Sequence, residues 1–276
     1  VEHNSAQYIH LVAEMEKRVF ADRAEYLGDP DFFDVDIDKL ISEEYIARRA
    51  LEVNPNAISS LESVDPGLES PDTTHYSIVD QWGNAVSNTY TINWNYGSGV
   101  VVEGAGFLLN NEMDDFSAKP GVANIFGVVG NVANEIQPEK RMLSSMSPTI
   151  LLKDGNVEMV LGTPGGSTIF TSVFQAIVNI MDFDMSPYEA IQSTRFHHQL
   201  LPPDEITYNG FTIGKPLPKE TITQLGEKGY EAIPHDYDFG DVQIIIREDG
   251  SWIAASDPRD RGDSRIISVP TSQEKQ

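Results

Sequence analysis

Residues 70–93 read SPDTTHYSIVDQWGNAVSNTYTIN. Within them the composition of the chain changes sharply, from polar and proline-containing to rich in β-branched and aromatic residues. Two stretches rich in β-branched and aromatic residues, 75–80 and 85–92, flank a Gly-Asn turn and predict a β-hairpin. The polar stretch before them, residues 53–72, contains several prolines and predicts an exposed linker. A linker that runs directly into a strand at Thr73 is a place where a chain can be cut.

The rest of the chain combines further hairpins with helices. Asp-Gly turns at 154–155 and 249–250 separate β-rich segments and predict two more hairpins. Helical periodicity and capping signals predict helices over 5–27, 43–51, 167–183, from 186 onward, and over 217–228. Runs of antiparallel strands separated by runs of helices predict an α+β layered domain, because a parallel sheet requires strict alternation of the two.

The composition of the chain argues against several classes of partner and site. The chain has 43 Asp and Glu against 19 Lys and Arg, which gives a formal net charge of −24. A surface this acidic repels phosphate groups, so neither nucleic acid nor an anionic membrane is an expected partner. Cysteine is absent, which excludes disulfides, thiolate zinc sites and a cysteine nucleophile.

Membrane, targeting and metal signals are also missing from the sequence. No apolar run approaches the ~20 residues that span a bilayer, and the opening VEHNSAQY lacks the parts of a secretory signal. Because the chain begins with Val, we interpret it as a mature or truncated piece of a longer protein. His197 and His198 are adjacent and diverge on a helix or a strand, so we interpret them as structural and expect no metal.

Thr73 is the residue of the opening stretch with the most distinctive chemistry. A threonine hydroxyl is a weak nucleophile and needs a nearby base. An α-amino group has a pKa of about 7.7 to 8.0 and can act as that base near neutral pH. A cut before Thr73 would therefore place nucleophile and base on one residue. A threonine pair beside a strand is also typical of ordinary β-structure.

Several motifs together resemble the γ-glutamyltranspeptidase family. In chain order they are TTHYSIVDQWGNAVSNTYTIN, NNEMDDFSAKPGV, KRMLSSMSPTI, GTPGGS and RFHHQ. Upstream, FADRAEYLGDPDF resembles the closing part of that family's large subunit. The resemblance implies an N-terminal-nucleophile hydrolase with an αββα four-layer sandwich. Residues 1–72 would end the large subunit and residues 73–276 would form the small catalytic subunit.

The resemblance further implies a self-cleaving enzyme that needs no cofactor. The precursor would cut itself between Asp72 and Thr73, through attack of the Thr73 hydroxyl on the Asp72 carbonyl. Thr91 would orient the nucleophile, and the amides of Gly165 and Gly166 would form the oxyanion hole. Taken alone, Thr91 is an ordinary strand threonine. The diglycine alone is a candidate phosphate loop, although no Lys-Ser or Lys-Thr follows it.

Other motif residues concern the two charged ends of a γ-glutamyl substrate. The resemblance implies that Asn93, Glu112 and Asp115 hold its α-amino group, and carboxylates do attract an ammonium. It implies that Ser144 and Ser145 hold its α-carboxylate. The alternatives are a solvated acidic turn and an ordinary serine loop.

Two further features of the family are an arginine that binds the substrate carboxylate and a lid loop over the pocket. In the family an arginine from the first half of the large subunit also grips the carboxylate, and we assign that role to no arginine of this chain. The glycine-rich segment 119–131 resembles the family's lid loop, with Phe126 in the aromatic gate position, or is a plain connection.

The resemblance thus implies transfer of γ-glutamyl groups from glutathione-like donors to water, an amino acid or a peptide. The missing N-terminal part of the large subunit would be a partner. Alternatives are a cephalosporin-acylase-like or poly-γ-glutamate-processing relative, or an uncleaved relative without catalysis. Family habit places such bacterial enzymes in the periplasm or the medium.

Overall fold

The computed structural model describes residues 1–60, 73–210, 216–235, 238, 240–259 and 262–267. Its helices are α1 (Ala6–Tyr26), α2 (Ile37–Leu40), α3 (Glu43–Leu51), α4 (Thr168–Met181), α5 (Pro187–Gln192) and α6 (Lys219–Lys228). Its strands are β1 (Thr73–Val79), β2 (Ala85–Thr91), β3 (Thr149–Lys153), β4 (Asn156–Gly162), β5 (Phe196–His197), β6 (Glu205–Tyr208), β7 (Glu231–Pro234), β8 (Gln243–Glu248) and β9 (Ser251–Ser256). The predicted cleavage partner Asp72 lies outside the described residues, so the division of the chain at Thr73 stays a prediction.

Two antiparallel sheets pack face to face in the centre of the fold. One is the β1–β2 hairpin, and the other has the strand order β3-β4-β8-β9. The Ser87 hydroxyl of β2 donates a hydrogen bond to the carbonyl of Leu161 in β4 at 2.9 Å. The His75 ring lies so close to Gly162 that a methyl group there would come within 2.2 Å of the ring. Gly162 therefore allows the two sheets to approach each other where β1 begins.

Helices α4 and α5 cover the opposite face of the four-stranded sheet. Leu161 and Ile244 of that sheet are buried in one cluster with Val173 of α4 and Ile191 of α5. The order of layers is therefore helix, sheet, sheet, which accounts for three of the four layers of the predicted sandwich. This arrangement confirms the predicted α+β class.

A third sheet, β5-β6-β7, packs with α1 and α6 around a second core. Strands β6 and β7 pair in parallel, and α6 connects them. The predicted runs of antiparallel strands do not include this parallel pair. The connection between β6 and β7 has 22 residues and includes the ten-residue helix α6, so it is long enough for the crossover that a parallel pair requires.

Most local elements occur where the sequence predicts them. Asp154 and Asp249 open their turns with φ of 51° and 48°, and a glycine at positive φ follows each, as a two-residue hairpin turn requires. Helix α5 begins with the predicted capping box between Ser186 and Glu189. Helix α6 ends at Gly229, whose φ of 103° is left-handed.

The described part of the predicted linker, residues 53–60, is only partly exposed. Glu14 of α1 is fully buried and accepts hydrogen bonds from Ser59 Oγ at 2.5 Å and from Lys17 Nζ at 2.7 Å. Ile58 packs against the core around α1. The end of the described linker is therefore anchored to α1, contrary to the expectation of a solvated connection, because α1 carries a buried carboxylate that needs donors.

Candidate active site

Thr73 is the first residue of β1 and lies directly opposite Thr91 in the register of the hairpin. Its side of the hairpin borders a cleft of about 560 Å³, which Pro164 and Gln243 also line. The Thr91 hydroxyl accepts a hydrogen bond from the backbone N–H of Asn93 at 2.9 Å. The structure thus brings the predicted nucleophile and the predicted orienting threonine together at the edge of a cavity.

His75 is the imidazole nearest to Thr73 along β1, and alternation puts both residues on the same face of the strand. Its two ring nitrogens lie 2.8 Å from Thr89 Oγ1 and 3.0 Å from Ser77 Oγ. Burial lowers the pKa of His75 to about 4, which makes the ring a weak base at neutral pH. The geometry therefore assigns His75 to holding the hairpin, not to activating Thr73.

Gly165 and Gly166 lie in the turn that leads from β4 into α4. Their φ values are 136° and 56°, and a methyl group on Gly165 would come within 2.6 Å of Thr168 Oγ1. Their carbonyls accept hydrogen bonds from the first turn of α4, and neither N–H donates a hydrogen bond within the described parts of the chain. Backbone amides at a helix N-terminus favour negative charge, and Pro164, which precedes them, lines the same cleft as Thr73.

The predicted amino-group site follows the end of β2. Asn93 is buried, has a positive φ of 76°, and donates from its side chain to the carbonyl of Asn111 at 3.4 Å. A 3₁₀ turn over Glu112–Asp115 begins at the next residue. Burial and then the charge of Glu112 raise the pKa of Asp115 to about 7. Burial also raises the pKa of Glu112. Two carboxylates that are costly to ionise together form a place where a cation is favoured.

Arg23, in the last turn of α1, stands between the two predicted subsites and was missed by the sequence analysis. Its Nη2 donates to Ser145 Oγ at 3.1 Å, and its charge lowers the pKa of Asp115. Burial lowers the pKa of Arg23 itself to about 10. Arg141, in contrast, binds Asp29 and Asp31, both at 2.5 Å. A basic residue at a helix C-terminus is ordinary in a sequence, so only its neighbours in space mark Arg23.

The other predicted residues are less closely joined to the site. The Ser144 hydroxyl accepts a hydrogen bond from the Met146 N–H at 3.1 Å, which fixes the turn that carries Ser145. Phe126 is 5% exposed and packs with Phe20 and Val128. Within the described residues it does not line the cleft beside Thr73, so its gate role stays a prediction.

The two adjacent histidines are buried, and both form hydrogen bonds within the core. His197 Nδ1 lies 2.9 Å from Thr171 Oγ1, and His198 Nδ1 lies 2.7 Å from the carbonyl of Glu205. In the ranges that the structure describes, no three potential ligand side chains are grouped for a metal ion. The helices in those ranges are all too short or too polar to cross a bilayer.

Comparison with known proteins identifies proteins that are similar to this chain. The profile of the gamma-glutamyltranspeptidase family matches residues 1–267. The chain is 59% identical over 268 residues to the glutathione hydrolase proenzyme of Pseudomonas aeruginosa, and 44% identical over 259 residues to that of Escherichia coli. These matches cover 97% and 92% of this chain but 47% and 44% of those relatives. The chain therefore spans about half the length of the curated relatives it matches.

Solved structures give the same result for the fold. A chain of the gamma-glutamyltranspeptidase from Pseudomonas nitroreducens complexed with L-DON is 55% identical, with a TM-score of 0.67 over 71% of this chain and 100% of that one. A cephalosporin acylase from Bacillus halodurans, 24% identical, has a TM-score of 0.77 over 94% of this chain and 44% of that one. The predicted N-terminal-nucleophile hydrolase fold is thereby confirmed, and the chain belongs to the gamma-glutamyltranspeptidase family.

Proposed function

We propose that the protein containing this chain hydrolyses and transfers γ-glutamyl groups of glutathione-like donors, with Thr73 as an N-terminal nucleophile. The observation that carries the proposal is the pairing of Thr73 with Thr91 at the edge of the cleft that Pro164 also lines. His75 has a lowered pKa, and both of its ring nitrogens are hydrogen-bonded to hydroxyl groups. This supports an α-amine as the base, because no other imidazole on that face of β1 could take the proton of Thr73.

In the proposed reaction, the Thr73 hydroxyl attacks the γ-carbonyl of the donor while the free α-amine of Thr73 takes its proton. The amides of Gly165 and Gly166 stabilise the oxyanion, and each such donor contributes ~2.7 to 4 kcal/mol to lowering the barrier in other hydrolases. Collapse of the intermediate breaks the amide bond, and the departing amine receives the proton. Water or an acceptor amine then attacks the Thr73 ester and regenerates the hydroxyl.

The amine exists only after the bond between Asp72 and Thr73 is cut. We therefore propose self-cleavage at this bond. An N-to-O shift moves the Asp72 acyl group from the Thr73 nitrogen to the Thr73 hydroxyl and frees the α-amine, and water then hydrolyses the ester and restores the hydroxyl. The name "proenzyme" that the Pseudomonas aeruginosa and Escherichia coli relatives bear supports this step by analogy.

The proposed donor is recognised by its two charged ends. Asn93, Glu112 and Asp115 surround its ammonium, and Ser144 and Ser145 bind its α-carboxylate. The raised pKa of Asp115 supports this assignment, because a bound ammonium would offset the cost of ionising two neighbouring acids. A donor that lacks either end loses charge-assisted hydrogen bonds and reacts more slowly.

A preceding segment, corresponding to the rest of the large subunit, is the proposed partner of this chain. The outer face of the β1–β2 hairpin carries four exposed apolar residues, Tyr76 (43%), Ile78 (53%), Val86 (48%) and Tyr90 (56%). Such a patch is typical of a covered surface. The part of the relatives that this chain does not match is more than half of their length and would supply the fourth layer. The periplasm or the medium is the proposed location.

Replacing Thr73 by Ala in the full-length protein tests the proposed chemistry. Self-cleavage and release of the γ-glutamyl group should both vanish, because one hydroxyl serves both steps. The intact mass of the purified protein measures the first and hydrolysis of a γ-glutamyl anilide measures the second. A variant that still cleaves itself or still turns over the anilide would contradict the proposal.

A second measurement separates γ-glutamyl transfer from a cephalosporin-acylase-like specificity. Wild-type enzyme is given γ-glutamyl anilide and glutaryl anilide side by side; the second compound lacks only the α-amino group. The acidic cluster around Asp115 predicts faster turnover of the γ-glutamyl compound. Faster turnover of the glutaryl compound would favour the acylase specificity.

A further inference from the structure

Asn134 is a buried residue that touches both loops of the proposed substrate site. It is 4% exposed and ends the short 3₁₀ turn Val132–Asn134. Its side-chain Nδ2 donates to the carbonyl of Asp115 at 2.7 Å, and its Oδ1 accepts from the N–H of Leu143 at 3.0 Å. Asp115 ends the acidic turn, and Leu143 immediately precedes Ser144. One amide side chain therefore joins the two segments proposed to bind the two ends of the donor.

The orientation of this amide is fixed by its partners. Rotating the group by half a turn would place its NH₂ opposite an N–H and its oxygen opposite a carbonyl, so only one orientation satisfies both bonds. The backbone of Asn134 adds a third link, because its carbonyl accepts from the N–H of Ser117 at 2.8 Å. No other residue type of the same shape carries one donor and one acceptor in these positions.

The surroundings of Asn134 leave it little freedom to move. Its neighbour Ala133 packs so closely on Gly28 that a methyl group there would come within 2.1 Å of the Ala133 carbonyl. Gly28 follows α1, the helix whose Arg23 contacts Ser145 and acts on the charge of Asp115. The end of α1, the Asn134 turn and the two loops therefore form one packed unit.

We propose that Asn134 is a positioning residue that sets the distance between the ammonium and carboxylate subsites, and so the selectivity for a free α-amino acid head. This inference rests on the proposed γ-glutamyl function. Asn134 touches neither Thr73 nor the diglycine, and it acts through the loops it holds. Small displacements of such loops are costly, since misplacement by 1 Å can reduce a rate about 100-fold.

Three anilide donors test the proposal in the full-length enzyme. γ-Glutamyl anilide carries both charged ends, glutaryl anilide lacks the amino group, and 4-aminobutyryl anilide lacks the carboxylate. For each variant, kcat/KM with the γ-glutamyl donor is divided by kcat/KM with each truncated donor. The two ratios measure selectivity for the amino group and for the carboxylate separately.

The variants are Asn134→Ala and Asn134→Asp, with Asn156→Ala as the matched control. Asn156 is exposed at the start of β4, beside the hairpin turn between β3 and β4, and its side chain donates to the carbonyl of Asp154 at 3.1 Å. We expect Asn134→Ala to lower both ratios by about tenfold or more, since both loops lose their link. Asn134→Asp keeps the acceptor for Leu143 and loses the donor to Asp115, so only the amino-group ratio should fall. The control should keep both ratios within about twofold of wild type.

A purely structural role for Asn134 would lower the rates with all three donors alike and leave both ratios unchanged, which would overturn the proposal. A fall of one ratio alone in Asn134→Ala would overturn it as well. The Asn134→Asp variant preserves the shape of the side chain and provides the comparison if the alanine variant does not mature. Wild-type ratios near one would instead contradict the proposed function itself, so the two failures are distinguishable.

Discussion

Replacing Asp115 by Asn should abolish a pH dependence that arises from the proposed amino-group site. Burial, and then the charge of Glu112, raises the pKa of Asp115 to about 7. The ionised fraction is then about 3% at pH 5.5 and about one half at pH 7.0, a rise of about 16-fold. Because only the carboxylate attracts an ammonium, binding should strengthen as the pH rises through this range. The donor's own α-amino group stays mostly protonated there.

The assay divides kcat/KM for γ-glutamyl anilide by kcat/KM for glutaryl anilide at both pH values. Both donors depend equally on the Thr73 amine, so the ratio isolates recognition of the ammonium. In wild-type enzyme the ratio should rise about 16-fold between pH 5.5 and 7.0, and in Asp115→Asn it should stay flat. At pH 7.0 the variant should also have a ratio about ten- to hundredfold lower, the value of a hydrogen bond to a charged group.

The charged neighbours of Asp115 remain the same in wild type and variant, so the comparison isolates Asp115 itself. Glu112, Asp114 and Arg23 act on its charge and are unchanged in the variant. A ratio that is flat in wild type, or that rises equally in Asp115→Asn, would refute the assignment of Asp115 to the amino group.

Two further predictions concern stability, measured by urea unfolding of the full-length protein. Gly162→Ala should lower the free energy of unfolding by about 1 to 3 kcal/mol, because its methyl group would overlap the His75 ring. Gly226→Ala, in α6 with open space around it, is the control and should raise it by up to about 1 kcal/mol; equal effects would contradict the argument. Asp257→Asn should cost about 3 to 5 kcal/mol, since Asp257 pairs with buried Arg195 at 2.8 Å; a loss below about 1 kcal/mol would contradict it.

Local signals account for the elements that the sequence predicts well. The Asp-Gly pairs at 154–155 and 249–250 determine their turns through positive φ, which depends on two adjacent residues only. The capping box at Ser186 is equally local. Parallel pairing of β6 with β7 depends on how α6 packs back onto the sheet, which no local pattern encodes.

The residues of the candidate site also fall into two groups, those that a local sequence pattern predicts and those that depend on contacts between distant segments. Thr73 and Thr91 lie on one hairpin, so the register of two adjacent strands is enough to bring them together. Arg23 and Asn134 reach the site through contacts between distant segments, such as the bond from Arg23 to Ser145. Each looks ordinary in the sequence, as a basic residue ending a helix and as an asparagine in a loop. Their importance becomes visible only when burial and hydrogen-bond partners are known.

The exposed outer face of the β1–β2 hairpin has a practical consequence for producing this protein. Residues 1–276 expressed without the proposed preceding segment would expose Tyr76, Ile78 and two further apolar side chains of one strand pair to water. Such a preparation should self-associate and collect in inclusion bodies, because contact between two copies hides the patch. Co-translation with the upstream segment, in one reading frame or from a second plasmid, is the sounder route to material for crystals.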